Sequence, residues 1–99
     1  MANQWEPQYR TSAFEEGTLQ HTLWVMLQQI EWPHTPQYTV YRAPASAAST
    51  EYLTQVLVQG RNFGDPAFRC YGRGSTVRMS LLDAAYVAIV RLRHELSAL

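Results

Sequence analysis

Hydrophobic positions recur with the spacing of an amphipathic helix from residue 19 onwards. They fall at i, i+4, i+7, i+8 and i+11, on one helical face, and are Leu19, Leu23, Met26, Leu27 and Ile30. Thr18, which follows Gly17, is a suitable N-cap because its hydroxyl can accept a hydrogen bond from a free N–H of the first turn. Pro33 and Pro36 follow, and proline disfavours helical backbone at the residue before it. The pattern therefore predicts a helix that ends near Trp32.

Three short segments then predict strands, because they are rich in β-branched and aromatic residues. They are 37–42 (QYTVYR), 51–59 (EYLTQVLVQ) and the shorter 67–71 (AFRCY). Small, turn-forming residues fill 43–50, and a loop with two glycines fills 60–66. The spacing predicts three strands joined by short connections.

Two glycines close this strand region and precede a second helix. Gly72 and Gly74 break the strand pattern and predict a turn that uses the conformational freedom of glycine. Ser75 or Thr76 can cap a helix that runs to about Leu96. Its small and apolar positions lie near one face and are Ala84, Ala85, Ala88, Leu92 and Leu96.

Together these elements predict an α+β fold of order α-β-β-β-α. Three antiparallel strands with both helices packed on one face is the arrangement expected for such an order. The domain would span residues 18–99. Residues 1–17 carry Trp5, Tyr9 and Phe14 among polar residues without a sustained period, which indicates an N-terminal extension or linker.

Composition narrows the functional classes. The 99 residues are enough for one domain, and a hydrophobic fraction of 46% is typical of a globular chain. Eight basic residues, all of them arginine, balance eight acidic ones, which argues against an avid, nonspecific binder of polyanions. The charges are uneven, because residues 42–93 hold seven arginines and three carboxylates, a net charge of +4. Ordinary solvated surface is the alternative interpretation of this mild excess.

The chain carries no signature of catalysis, metal binding or membrane insertion. Cys70 is the single cysteine, which excludes an internal disulfide and suits a reducing compartment. His21, His34 and His94 lack the spacing of metal ligands. No segment resembles a signal peptide, and the longest apolar run, Leu23–Leu27, is far shorter than the ~20 residues that span a bilayer. We therefore expect an intracellular, cytoplasmic or nuclear, nonenzymatic protein without catalytic residues, cofactor, metal or small-molecule substrate.

Two motifs carry a resemblance to a known family. They consist of Gly72 and Gly74 followed by Ala84 and Ala85, and of Trp32, Pro33, Pro36 and Tyr38, with Gln28 late in the first helix. This combination resembles the double-stranded RNA-binding domain over roughly residues 19–96. The resemblance implies the α-β-β-β-α fold and a surface that grips about 16 base pairs of duplex.

The RNA-contacting positions of that family are largely replaced here. Val25 stands where the family has a glutamate, and residues 45–48 stand where it has a Gly-Pro-x-His loop. Val77 and Leu81 replace two of three basic residues, so that only Arg78 remains. Duplex affinity depends largely on phosphate neutralisation, so the resemblance implies that duplex binding is weakened or lost.

A first hypothesis is therefore a noncatalytic module that binds a protein partner or self-associates. The candidate residues are apolar and lie where the family contacts RNA, namely Trp24, Val25, Val77 and Leu81. The third predicted strand is a second candidate, as a sheet edge open to a partner strand. Alternatively, Trp5 or Phe14 folds back and covers the apolar patch.

A second hypothesis is weak double-stranded RNA binding at the start of the second helix. Its candidate residues are Arg73, Ser75, Thr76 and Arg78. The positive end of a helix favours an anion by less than about 1 kcal/mol at a surface, so these groups alone predict weak binding.

Overall fold

The computed structural model describes residues 4–44 and 47–97, with side chains up to His94. It contains four strands and two helices in the order β1 (Glu6–Thr11), α1 (Leu19–Gln29), β2 (Gln37–Arg42), β3 (Tyr52–Val58), β4 (Phe68–Gly74) and α2 (Val77–Ser97). The predicted α+β class is confirmed. Ala45 and Ser46, which belong to the loop compared with the family's Gly-Pro-x-His segment, lie outside the described residues.

The sheet has four strands instead of the predicted three. All neighbours are antiparallel in the order β1-β2-β3-β4. The additional strand, β1, lies within the segment expected to be an extension or linker. The sequence did not predict this strand for two reasons. Five of its six residues are exposed, and its register shifts between Pro7 and Tyr9, which breaks the alternation of polar and apolar positions.

One core joins both helices to one face of the sheet. Leu23 and Leu27 of α1 meet the inward side chains of the sheet and the small residues of α2. The sheet contributes Tyr38, Val56, Val58 and Cys70, and α2 contributes Ala84, Ala85, Ala88, Ile89 and Leu92. The opposite face of the sheet is covered by neither helix, since the core residues of both helices lie with these inward side chains.

Gly72 and Gly74 lie inside β4, so the predicted glycine turn is wrong. Neither has a positive φ. A Cβ atom on Gly72 would lie 2.0 Å from the backbone nitrogen of Ala84, and one on Gly74 would lie 2.6 Å from Cβ of Met79. The two glycines are needed because α2 crosses β4 at very short range.

Both predicted helix caps are present. Thr18 Oγ1 accepts a hydrogen bond from the His21 N–H at 3.3 Å, and Thr76 Oγ1 accepts one from the Met79 N–H at 3.1 Å. At the other end of α1, Glu31 adopts a left-handed φ of 56° and the Trp32 N–H returns to the Leu27 carbonyl. The helix thus ends at Gln29, four residues before Pro33 and slightly earlier than the predicted end near Trp32.

Candidate functional site

The side chain of Arg73 lies on the face of the sheet opposite α2. Side chains alternate along a strand, and the neighbouring Gly72 faces α2. Arg73 Nη1 is 3.7 Å from Glu51 Oε1, and its guanidinium lies 5.5 Å from the centre of the Trp5 ring. Arg73 is therefore held by a carboxylate and an aromatic ring of the outer face.

The other three predicted RNA-binding residues sit at the start of α2. Thr76 uses its hydroxyl to cap the helix, and Ser75 Oγ lies 3.6 Å from the sulfur of Met79. Arg78 is exposed in the first turn and lines a groove that also contains Glu15. The structure thus leaves Arg73 and Arg78 on different faces, and the four residues form no single basic patch.

The predicted partner residue Trp24 is covered by the N-terminal segment. Phe14 lies 5.4 Å from the ring of Trp24, and it also stacks on His21 at 5.4 Å with nearly parallel rings. Trp24 and Val25 are both half-buried. Of the two aromatic residues proposed as a cover, Phe14 takes this role, whereas Trp5 lies against Arg73.

Val77 and Leu81 line the same groove as Phe14. The groove has a volume of about 500 Å³ and is closed on one side by Tyr9 of β1. Leu81 packs against the core, and both residues are half-buried. The apolar residues predicted to attract a partner are therefore partly occupied by contacts within the chain.

The strand β4 is one of the two edge strands of the sheet, and side chains of α2 hydrogen-bond to part of its outward backbone. The Arg73 N–H donates to Asp83 Oδ2 at 2.9 Å, and Arg91 Nη1 donates to the Arg69 carbonyl at 2.9 Å. The Arg91 guanidinium also lies 4.9 Å from the centre of the Phe68 ring. These contacts occupy two of the outward backbone groups of β4 and so make pairing with a partner strand less favourable.

A row of exposed apolar side chains runs along the outer face of α2. Met79, Tyr86 and Val90 are 53%, 55% and 48% exposed, and their spacing places them opposite the buried Ala84 and Ala88. A shallow groove beside the row is lined by Leu19, Arg73, Met79, Leu82, Asp83 and Tyr86. The sequence did not predict this row because α2 carries apolar residues on almost every side. Its periodicity therefore does not distinguish a second apolar face from the buried one.

The outer face of the sheet is a second surface that sequence reasoning did not assemble. Strand pairing aligns Arg73, Leu53, Tyr41 and Pro7 in one row and Tyr71, Gln55, Thr39 and Arg10 in the next. The signal was present in β4 as alternating residues, in which Arg69, Tyr71 and Arg73 share one face.

Among the described residues, no group of three or more His, Cys, Asp and Glu side chains is placed to hold a metal ion. In the same part of the chain, no helix is long and apolar enough to cross a membrane. Comparison with family models, curated proteins and solved structures finds no match to this chain.

Proposed function

We propose that this chain is a noncatalytic interaction module that self-associates through the outer face of α2. The observation that carries the proposal is the row formed by Met79, Tyr86 and Val90, each about half exposed on a face that no described element covers. Large apolar side chains exposed along one side of a helix are typical of protein contact surfaces.

A second copy of the chain is the occupant that fits this row. Two antiparallel α2 helices related by a two-fold axis would bury the same apolar residues from both copies. The shallow groove lined by Leu19 and Leu82 runs beside the row and can receive a side chain of the other copy. The formal net charge of zero removes long-range repulsion between identical chains.

Binding of duplex RNA receives less support from the geometry. Arg73 and Arg78 lie on different faces, and Glu15 shares the groove of Arg78. Thr76 already uses its hydroxyl as a cap. One exposed arginine at a helix start neutralises few phosphates, whereas duplex affinity rises with the number neutralised.

Self-association can be tested by sedimentation equilibrium of the full chain at increasing concentration. We expect the mean mass to rise toward twice that of one chain. Tyr86→Asp should keep the protein monomeric, because the change places a charge in the centre of the row. Tyr71→Asp is the matched control, since Tyr71 is 50% exposed on the outer face of the sheet and outside the row, and it should dimerise normally.

Two outcomes would contradict the proposal. One is a monomer at every concentration, and the other is a dimer that Tyr86→Asp leaves intact. A parallel titration with a duplex of about 20 base pairs tests the alternative, since duplexes of that length span the surface used by double-stranded RNA-binding domains. Salt-sensitive binding that Arg78→Glu abolishes would favour the duplex alternative over self-association.

A further inference from the structure

The outer face of the sheet concentrates positive charge, although the formal net charge of the whole chain is zero. Arg69 and Arg73 project from β4, and Arg10 projects from β1 on the same face, as its pairing with Thr39 shows. Two carboxylates contact Arg73: Glu51 lies 3.7 Å from its guanidinium, and Asp83 accepts a hydrogen bond from its backbone N–H. The face is therefore complementary to a polyanion.

Aromatic rings lie among these arginines. Tyr71 stands between Arg69 and Arg73 on β4 and is 50% exposed. Its hydroxyl donates a hydrogen bond to Gln55 Oε1 at 3.2 Å, so the ring leans across toward β3 and is held over the sheet. Tyr41 lies half-buried two strands away on the same face. Rings fixed in place lose little conformational freedom when a flat ligand stacks on them.

We propose that this outer face binds single-stranded nucleic acid, with bases stacked on Tyr71 and Tyr41 and phosphates paired with Arg69, Arg73 and Arg10. Alternate residues of a strand lie about 7 Å apart, so β4 presents cation, ring and cation at regular intervals. Single strands bind to such surfaces because unpaired bases offer their flat faces to aromatic side chains.

A duplex does not suit the same surface. Its bases are stacked within the helix, so Tyr71 and Tyr41 would have no free base to contact. Bidentate pairing suits arginine and phosphate, and all the basic residues of this face are arginines. The inference concerns a different surface from the outer face of α2, although Arg73 borders both, and it does not rest on self-association.

The test uses fluorescence anisotropy of a labelled, unstructured RNA of about 12 nucleotides, within the site sizes known for single-strand binders. A DNA of the same sequence and the corresponding RNA duplex are measured beside it. We expect both single strands to bind more tightly than the duplex. With three phosphate contacts the logarithm of the binding constant should fall with the logarithm of salt with a slope of about −2.

Substitutions locate the binding face. Tyr71→Ala should weaken binding of the single strand about tenfold through loss of stacking, and Arg69→Glu should weaken it further and flatten the salt dependence. Glu51→Gln should strengthen binding, because it releases Arg73 from its carboxylate. The matched controls are Tyr86→Ala and Arg78→Glu, which remove a similarly exposed ring and a cation from α2. Both controls should bind like the unaltered chain.

Three results would overturn the proposal. The first is the absence of binding at low salt, and the second is duplex binding as tight as that of the single strand. The third is an equal loss in Tyr71→Ala and Tyr86→Ala. If RNA binds more tightly than DNA, the face also contacts the 2′-hydroxyl. If the two bind equally, recognition depends on base stacking and phosphate charge alone.

Discussion

Gly72 is the residue on which the contact between α2 and the sheet depends. A Cβ atom there would lie 2.0 Å from the Ala84 nitrogen, which belongs to helix backbone and cannot move aside alone. We therefore predict that Gly72→Ala lowers the free energy of unfolding by about 3 kcal/mol or more, the upper range for overpacked sites. Urea unfolding measures the change.

Gly64 provides the control for this substitution. It has a φ of 92° and no atom within 4 Å of a Cβ position, so Gly64→Ala tests backbone strain without a clash. Its expected cost is about 1 kcal/mol, as for other non-glycine residues in a left-handed conformation. Equal costs at the two positions would show that the close approach of α2 at Gly72 does not exist.

Tyr38 is buried to 1% exposure, and its hydroxyl has no hydrogen-bond partner among the described residues. An unsatisfied buried hydroxyl destabilises the folded state. We predict that Tyr38→Phe raises the free energy of unfolding at neutral pH by about 1 kcal/mol. Tyr86→Phe, at an exposed position, should change it little. A loss of stability in Tyr38→Phe would contradict this account.

The same tyrosine sets an alkaline limit to stability. Burial raises the pKa of Tyr38 above its usual value, since the phenolate cannot be solvated in the core. The folded state then holds the proton more tightly than the unfolded state, so stability falls as pH rises above about 10. Urea unfolding at neutral and alkaline pH should show a smaller alkaline loss in Tyr38→Phe than in the unaltered chain.

At the scale of elements, a buried pair of hydroxyls joins β3 to α2. Thr54 and Ser80 are fully buried, with their oxygens 2.7 Å apart. Ser80 donates to the Val77 carbonyl at 2.9 Å, so its oxygen accepts the Thr54 proton. The polar pair stays satisfied inside the apolar core because each hydroxyl has a defined partner.

This pair predicts a strong coupling between the two positions. Ser80→Ala alone should lower the free energy of unfolding by about 1–3 kcal/mol, because it leaves the Thr54 hydroxyl buried without its acceptor. Combining it with Thr54→Val should restore much of that loss. A double-mutant cycle in urea measures the coupling, and additive losses would mean that the two hydroxyls act independently.

Some of these elements could be predicted from sequence patterns and others could not. The span of α1 follows from apolar spacing, the Thr18 cap and Pro33, and β2 follows from its residue types. The additional strand β1 could not be predicted from the sequence, because it is mostly polar and is interrupted by a register shift. Its place in the sheet depends on backbone hydrogen bonds with β2, and backbone hydrogen bonds do not require particular residue types.

At the scale of the whole molecule, β1 closes one edge of the sheet. It covers β2, where Val40 is fully buried. We predict that a chain lacking residues 1–12 unfolds at lower urea concentration and scatters more light, because the uncovered β2 edge can pair between copies. Arg10→Ala keeps the strand and is the control. A truncated chain as stable and monodisperse as the control would show that this segment is only a linker.

The two proposed surfaces adjoin at Arg73, which also lines the groove beside the row of α2, but their tests separate them. Tyr86 belongs to the outer face of α2 and Tyr71 to the outer face of the sheet, with similar exposure. Each therefore serves as the control for the other. Loss of both properties in either variant would indicate a general defect in folding instead of a local site.

The sequence by itself determined the α+β class, the two helix caps and the approximate end of α1, because these depend on residues that are close together along the chain. Only the tertiary structure decided the addition of β1, the cover of Phe14 over Trp24 and the separation of Arg73 from Arg78. It also showed that Gly72 serves close packing instead of a turn. These features depend on contacts between distant parts of the chain, which local patterns cannot encode.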